Sequence, residues 1–223
     1  ALECSLATNG VAFALVRPPG HHAERNRAMG FCFFNNVAVA ASAALSGGVE
    51  KIAIVDFDVH HGNGTQQIFY DDPRVLFVSI HQTPFYPWTG AVSDVGCGKG
   101  TGFNVNIPVT AGATDGDYML LFDQVVIPIL REFGAEVLLV SAGYDAHLND
   151  PIGAMRISTD GFGMMTRKLN GVAMEQSGGR MVLVTEGGYD LAALSGSLES
   201  TIASFEPVDD SALASESTAE VPG

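Results

Sequence analysis

Residues 51–64 read Lys51-Ile52-Ala53-Ile54-Val55-Asp56-Phe57-Asp58-Val59-His60-His61-Gly62-Asn63-Gly64. After Lys51 the run is apolar and mostly β-branched, with no polar interruption. That is the pattern of a strand buried on both faces, and therefore of a parallel sheet covered by helices. The run then breaks into a polar, Gly-rich segment. Asp56, Asp58 and His60 share parity, so in extended backbone their side chains point the same way. In open parallel sheets, sites form just beyond the carboxyl ends of strands.

Working outward, runs of the same kind recur at residues 12–16, 75–80, 137–141 and 181–185, with a weaker sixth at 103–107. Helical patterns lie between them. Residues 35–45 are Ala-rich and stop at Gly47-Gly48, a C-terminal signal. Residues 115–133 carry apolar side chains at helical spacing, with Pro128 expected to kink them. Residues 160–175 follow Ser158 and Thr159, either of which can cap a helix, and 191–205 form the last. Strands alternating with helices predict an α/β fold with right-handed crossovers: a parallel sheet with helices on both faces, in three α/β/α layers. This domain is assigned to residues 1–205. Residues 206–223 include Glu206, Asp209, Asp210, Glu216 and Glu220 with no Lys or Arg, and read as a solvated, disordered acidic tail.

Polar, Gly-rich clusters follow the strands at 17–22, 56–64, 81–90, 143–147 and 186–189. One composite site at that edge explains them together. Asp58 and His60 read as metal ligands or as polar caps of the next helix. Asp145, after another apolar strand, is the natural third ligand, or a turn-former in its Gly-rich setting. Two carboxylates and an imidazole suit Zn²⁺, with Fe²⁺ or Co²⁺ as alternatives. His21 and His22 follow a rigid Pro-Pro-Gly turn and offer proton chemistry near pH 7, or are two exposed loop histidines. Asp56 and Asn63 are placed to orient them. Tyr189 follows Gly187-Gly188, where backbone can approach a ligand, and its phenol can hydrogen-bond an oxyanion or simply pack at a helix start. Phe31, beside Gly30, and Tyr86 are loop aromatics that can wall a narrow pocket. Phe33, Phe69 and most methionines read as core; His61, His81 and His147 as structural; Trp88 as rim or packing.

The chain has 223 residues, 47% hydrophobic and 16% charged, which suits a sizeable core. Its net charge of −14 argues against a nucleic-acid partner. No apolar run is long enough to span a membrane. Three scattered cysteines, Cys4, Cys32 and Cys97, fit buried thiols in a reducing compartment, with the cytoplasm as the expected location.

The ordered set RPPGHHA, GFCFFNN, DFDVHHGNGT, SAGYDAHLNDPIG and EGGYDL resembles the zinc-dependent histone deacetylase family, its class II branch and bacterial deacetylase-like amidohydrolases above all, over about residues 12–205. The resemblance implies the arginase-like fold of that family. It makes Asp58, His60 and Asp145 the ligands of one zinc ion. It makes His22 the general base, His21 its electrostatic partner, and Asp56 and Asn63 the residues that orient the two. Tyr189 matches the transition-state tyrosine, and Gly30, Phe31, Tyr86 and Gly188 the walls of an acyl-lysine tunnel. Asp56, Asp58, His60, Ser79 and Ile80 match a structural potassium site, mostly through backbone oxygens. The implied reaction is hydrolysis of the acetamide of N6-acetyl-lysine to acetate and a free amine.

One departure stands out. Only residues 1–16 precede RPPGHHA, where the family carries a substantial N-terminal portion with early strands and a rim loop bearing a substrate-gripping Asp. The expectation is a sheet incomplete at its N-terminus, with marginal stability or self-association into a homo-oligomer. Trp88, where the family commonly has Gly, is expected to narrow the tunnel mouth. Two other functions remain open at this stage: an acetylpolyamine amidohydrolase, and a non-catalytic acyl-lysine or metal-binding fragment.

Overall fold

The computed structural model describes residues 1–205, so the expected acidic tail at 206–223 lies outside the described residues. In chain order the elements are α1 Leu2–Thr8, β1 Val11–Ala14, α2 Asn36–Ser46, β2 Ile52–Asp56, α3 Asn63–Phe69, β3 Val75–Gln82 and β4 Asn104–Val109. There follow α4 Asp115–Leu121, a π turn Phe122–Val126, α5 Ile127–Phe133, β5 Val137–Ala142, α6 Thr159–Gln176, β6 Met181–Thr185 and α7 Leu191–Ala203.

The strands form one parallel sheet in the order β1-β6-β5-β2-β3-β4. Strands β2, β3, β5 and β6 are buried at every position, as their unbroken apolar runs predict. Period-2 alternation then divides their side chains between two cores. Ala53, Val55, Val78 and Val140 face α4–α7, while Ile54, Phe77, Leu139 and Val182 face α1–α3. The edge strand β1 is only half-buried.

Chain order places the site. From β2 the sheet grows outward through β3 and β4, then reverses, and β5 pairs with the other side of β2. The β2/β5 boundary is therefore a topological switch point, where the two following loops diverge and leave a crevice. In register, Asp56 lies opposite Ser79 on one side and Ser141 on the other, so the segments after Asp56 and Ala142 both enter that crevice.

The helix expected over 115–133 is three pieces. The π turn ends two residues before Pro128, at Val126; the proline nitrogen cannot donate to the carbonyl four residues back, so the helical register widens there. Ser158, not Thr159, caps α6: its hydroxyl accepts the Gly161 N–H at 3.2 Å. Phe33 is not core but 70% exposed. It belongs to the loop ahead of α2, not to a covered face. The methionines divide: Met155, Met165 and Met181 are buried, whereas Met164 and Met174 are exposed on α6.

Candidate metal centre and active site

Beyond β2 the strand parity persists. Phe57 and Val59 go into the core, which turns Asp56, Asp58 and His60 into the crevice. Ligand atoms of Asp58, His60 and Asp145 lie within 4.8 Å of one another, all three residues buried. His60 Nδ1 is 3.0 Å from Asp58 Oδ1 and 3.1 Å from Asp145 Oδ2. The latter contact is off the line of a hydrogen bond, so Asp145 Oδ2 has no hydrogen-bond partner. The other carboxylate oxygens are fixed by backbone: Val59 N–H donates to Asp145 Oδ1 at 2.9 Å and Gly187 N–H to Asp58 Oδ2 at 2.8 Å. A Cβ at Gly187 would collide with both carboxylates, and one at Gly143 with Asp58. Here glycine is needed for close approach, not for backbone freedom.

An orphaned, buried carboxylate oxygen beside a second carboxylate and an imidazole nitrogen fits a divalent cation of the zinc type. Electrostatics agree. Burial lowers the basicity of His60, but the neighbouring carboxylates of Asp145 and Asp58 outweigh it and lift its pKa to about 10. Three protein ligands leave positions open, as in catalytic zinc sites.

The tandem histidines lie alongside, with ring centroids 4.1 Å apart. His21 Nδ1 is 2.9 Å from Asp56 Oδ2, and its Nε2 is 3.7 Å from Asp58 Oδ1. His22 Nδ1 donates to Asn63 Oδ1 at 2.8 Å. The amide orientation follows from its other end: Asn63 Nδ2 donates to Glu24 Oε1 at 3.0 Å. The His22 Nε2 lone pair is thereby left for the cavity. The environments separate the two rings. Burial disfavours charge on His21, but Asp56, Asp58 and Glu186 outweigh it and hold its pKa well above the ordinary value. Burial and the neighbouring His21 push His22 down to about 2. The surroundings thus favour charge on His21 and disfavour it on His22, so the two rings differ in basicity.

Both rings, Asp58 and His60 line a cavity of about 440 Å³, with Pro19, Gly30, Phe31, Phe85, Tyr86, Ile152, Gly187 and Tyr189. Phe85 stacks on His60 with centroids 4.9 Å apart, and Tyr86 meets His22 edge-on at 5.2 Å. Tyr189 faces Phe31 at 6.4 Å. Burial pushes the Tyr189 hydroxyl pKa up, so it remains a donor.

The family model for the histone deacetylase domain matches residues 3–205. The chain belongs to the histone deacetylase family. It is 46% identical over 180 residues to a probable deacetylase of Archaeoglobus fulgidus, covering 81% of this chain and 50% of that one. It is 51% identical over 192 residues to histone deacetylase 5 of Arabidopsis thaliana, covering 82% and 28% of the respective chains. Among solved structures it resembles the HDA15 HD domain, with a TM-score of 0.85 and 44% identity over 91% of this chain and 59% of that one. It spans half or less of the length of these two curated relatives. The fold of this histone deacetylase domain is thus the arginase-like α/β fold that the motifs implied.

All five polar clusters meet at one edge, as one composite site requires. Gly188, expected on the tunnel wall, does not line the cavity; Gly187 does. Gly188 instead turns the backbone with φ +134° and accepts the Arg17 Nη2 hydrogen bond at 3.0 Å. Trp88 does not narrow the mouth: it is 75% exposed and off the cavity lining. Its φ of +66° is a conformation glycine adopts without strain. Asp56 and Ser79 are neighbours in register, with Ile80 next along β3. His61 is bound by Thr89 and Gln66, and His81 by Ser79 and Gly90, as structural histidines.

Sequence reasoning missed the supports. Glu186 accepts the N–H groups of Gly20 at 2.6 Å and His21 at 3.0 Å, and the Ser141 hydroxyl at 3.0 Å, holding the tandem-histidine arm. Burial, against the pull of His21, raises its pKa to about 7. Glu24 fixes Asn63. Their partners lie 35 or more residues away in sequence, and no local pattern announces them.

Proposed function

We propose that this chain hydrolyses the acetamide of N6-acetyl-lysine in proteins or peptides, releasing acetate and the free amine, with one zinc ion held by Asp58, His60 and Asp145. The observation that carries this reading is the meeting of that ligand set with two histidines of differing basicity beside a cavity lined by Phe31, Phe85, Tyr86 and Tyr189. A bound divalent cation would polarise the amide carbonyl and acidify a water.

The chain's own groups supply the rest. Phe31 and Tyr86 flank the aliphatic stem of the substrate. His22 Nε2 takes the proton from the attacking water, while Asn63 holds Nδ1 and so the ring. The Tyr189 hydroxyl donates to the developing oxyanion. The His21–Asp56 pair stabilises negative charge nearby, and a protonated histidine delivers the proton to the leaving nitrogen as the C–N bond breaks. A structural potassium ion bound by backbone oxygens of Asp56, Asp58, His60, Ser79 and Ile80 would stiffen this end of β2 and β3. The three thiols are free, but only Cys32 is buried, as expected of all three; Cys4 and Cys97 are exposed, and unpaired thiols suit a reducing compartment such as the cytoplasm.

The test is Tyr189→Phe against an acetyl-lysine peptide, with zinc content measured beside it. Loss of roughly two to three orders of magnitude in kcat at unchanged zinc supports the role. Near-normal turnover contradicts it, and faster cleavage of acetylputrescine than of the peptide moves the substrate to acetylpolyamines.

A further inference from the structure

Asp150 is buried, 8% exposed, in the connection between β5 and α6. It belongs neither to the Asp58–His60–Asp145 set nor to the lining of the 440 Å³ cavity, yet three backbone donors converge on it. Its Oδ1 accepts the N–H of Ile152 at 2.9 Å and of Gly153 at 3.3 Å. Its Oδ2 accepts the N–H of Tyr189, 39 residues on, at 2.8 Å. Ile152 and Tyr189 both line the cavity. Tyr189 precedes Asp190, the cap of α7, so its N–H lies outside the helical ladder.

We propose that Asp150 is a positioning residue that joins the cavity wall at Ile152 to the oxyanion donor Tyr189 and sets the height of that hydroxyl above the metal centre. The inference rests on the reading of Tyr189 given above. A carboxylate is acceptor-only, with capacity for all three N–H groups. An asparagine would turn an NH₂ group toward one of them. Asn keeps the Ile152 side only by losing the Tyr189 side, and the tyrosine is then held by its ring packing and by the Arg17 hydrogen bond to Gly188 alone. Displacement of a donor by about 1 Å is enough to cost about a hundredfold in rate.

Two measurements test this on the zinc-loaded chain. The first is a cycle of Asp150→Asn, Tyr189→Phe and the double variant on acetyl-lysine peptide. Asp150→Asn should lower kcat at least tenfold with Tyr189 present, but less than twofold in the Tyr189→Phe background. Equal losses in both backgrounds would mean that Asp150 acts on general stability, and would overturn the proposal. The second reads amide hydrogen exchange and needs no turnover. Asp150→Asn should lose protection at Tyr189 while Gly187, bound to Asp58, keeps it. A Tyr189 amide that stays protected overturns the clamp even if the wild-type chain proves inactive, an outcome that would instead remove the deacetylase reading. Asp150→Ala provides the same readouts should the asparagine variant fold poorly.

Discussion

Gly187→Ala should dismantle the proposed metal centre by adding one methyl group. The added Cβ would overlap Asp145 Oδ2 and Asp58 Oδ2 together. Neither carboxylate can retreat freely, because Val59 N–H holds the other oxygen of Asp145 and Gly187's own N–H holds Asp58. The backbone at 187 must shift, and the Asp58 hydrogen bond shifts with it. Losing one outer support typically weakens metal affinity 10–100-fold, or about 1.4–2.7 kcal/mol. Overpacking costs about 1–3 kcal/mol of stability besides. Gly171→Ala is the matched control: it lies in α6, and its Cβ would meet nothing within 4 Å. Helix propensity predicts a gain of up to about 1 kcal/mol there, with zinc affinity unchanged. Competition titration with a chromogenic chelator measures the affinities, and thermal melts the stabilities. A Gly187→Ala chain that binds zinc as tightly as wild type would refute the packed-carboxylate account.

Two further outcomes follow from burial. Burial, with a smaller opposing pull from hydrogen bonds to Gly90 and Ser79, lowers the His81 pKa to about 4, against about 6.5 unfolded. Below pH 6.5 the unfolded chain takes a proton there and the folded chain does not, so the stability advantage of wild type over His81→Gln should shrink from pH 6.5 toward 4, by up to about 1.4 kcal/mol per pH unit. A pH-independent difference between their denaturation midpoints would exclude this. Phe33→Ser should change stability by no more than about 0.5 kcal/mol, whereas Phe57→Ala, which removes a ring packed on Tyr144 and Phe162, should cost about 3–5 kcal/mol; urea titration of both variants checks the contrast.

The strands were legible because the sheet is covered on both faces, so that burial writes an unbroken apolar run with no competing signal. Residues 181–185 match β6 to the residue. The edge strand ran shorter and earlier than read, ending at Ala14, because beyond it the Val16 N–H turns to the Thr185 hydroxyl and not to a strand partner. Strand parity turned Asp58 and His60 toward the site, but Asp145 and the tandem histidines stayed open between site and turn or loop roles, and only the family resemblance assigned them. Asp150 and Glu186 were not legible, since each is specified by backbone donors from distant segments, and a buried carboxylate in a loop looks locally like any turn residue. Phe33 misled for a related reason: hydrophobicity records a preference for burial, and only the surrounding fold decides whether a surface is there to bury it.

The most direct test of the central claim is acetate release from an acetyl-lysine peptide by the chain stripped with chelator and then titrated with zinc. The account predicts that stripping abolishes turnover and that one equivalent of zinc per chain restores it, with Asp145→Ala failing to recover. Turnover that survives stripping, or a chain that holds one zinc at this site and releases no acetate, would contradict it.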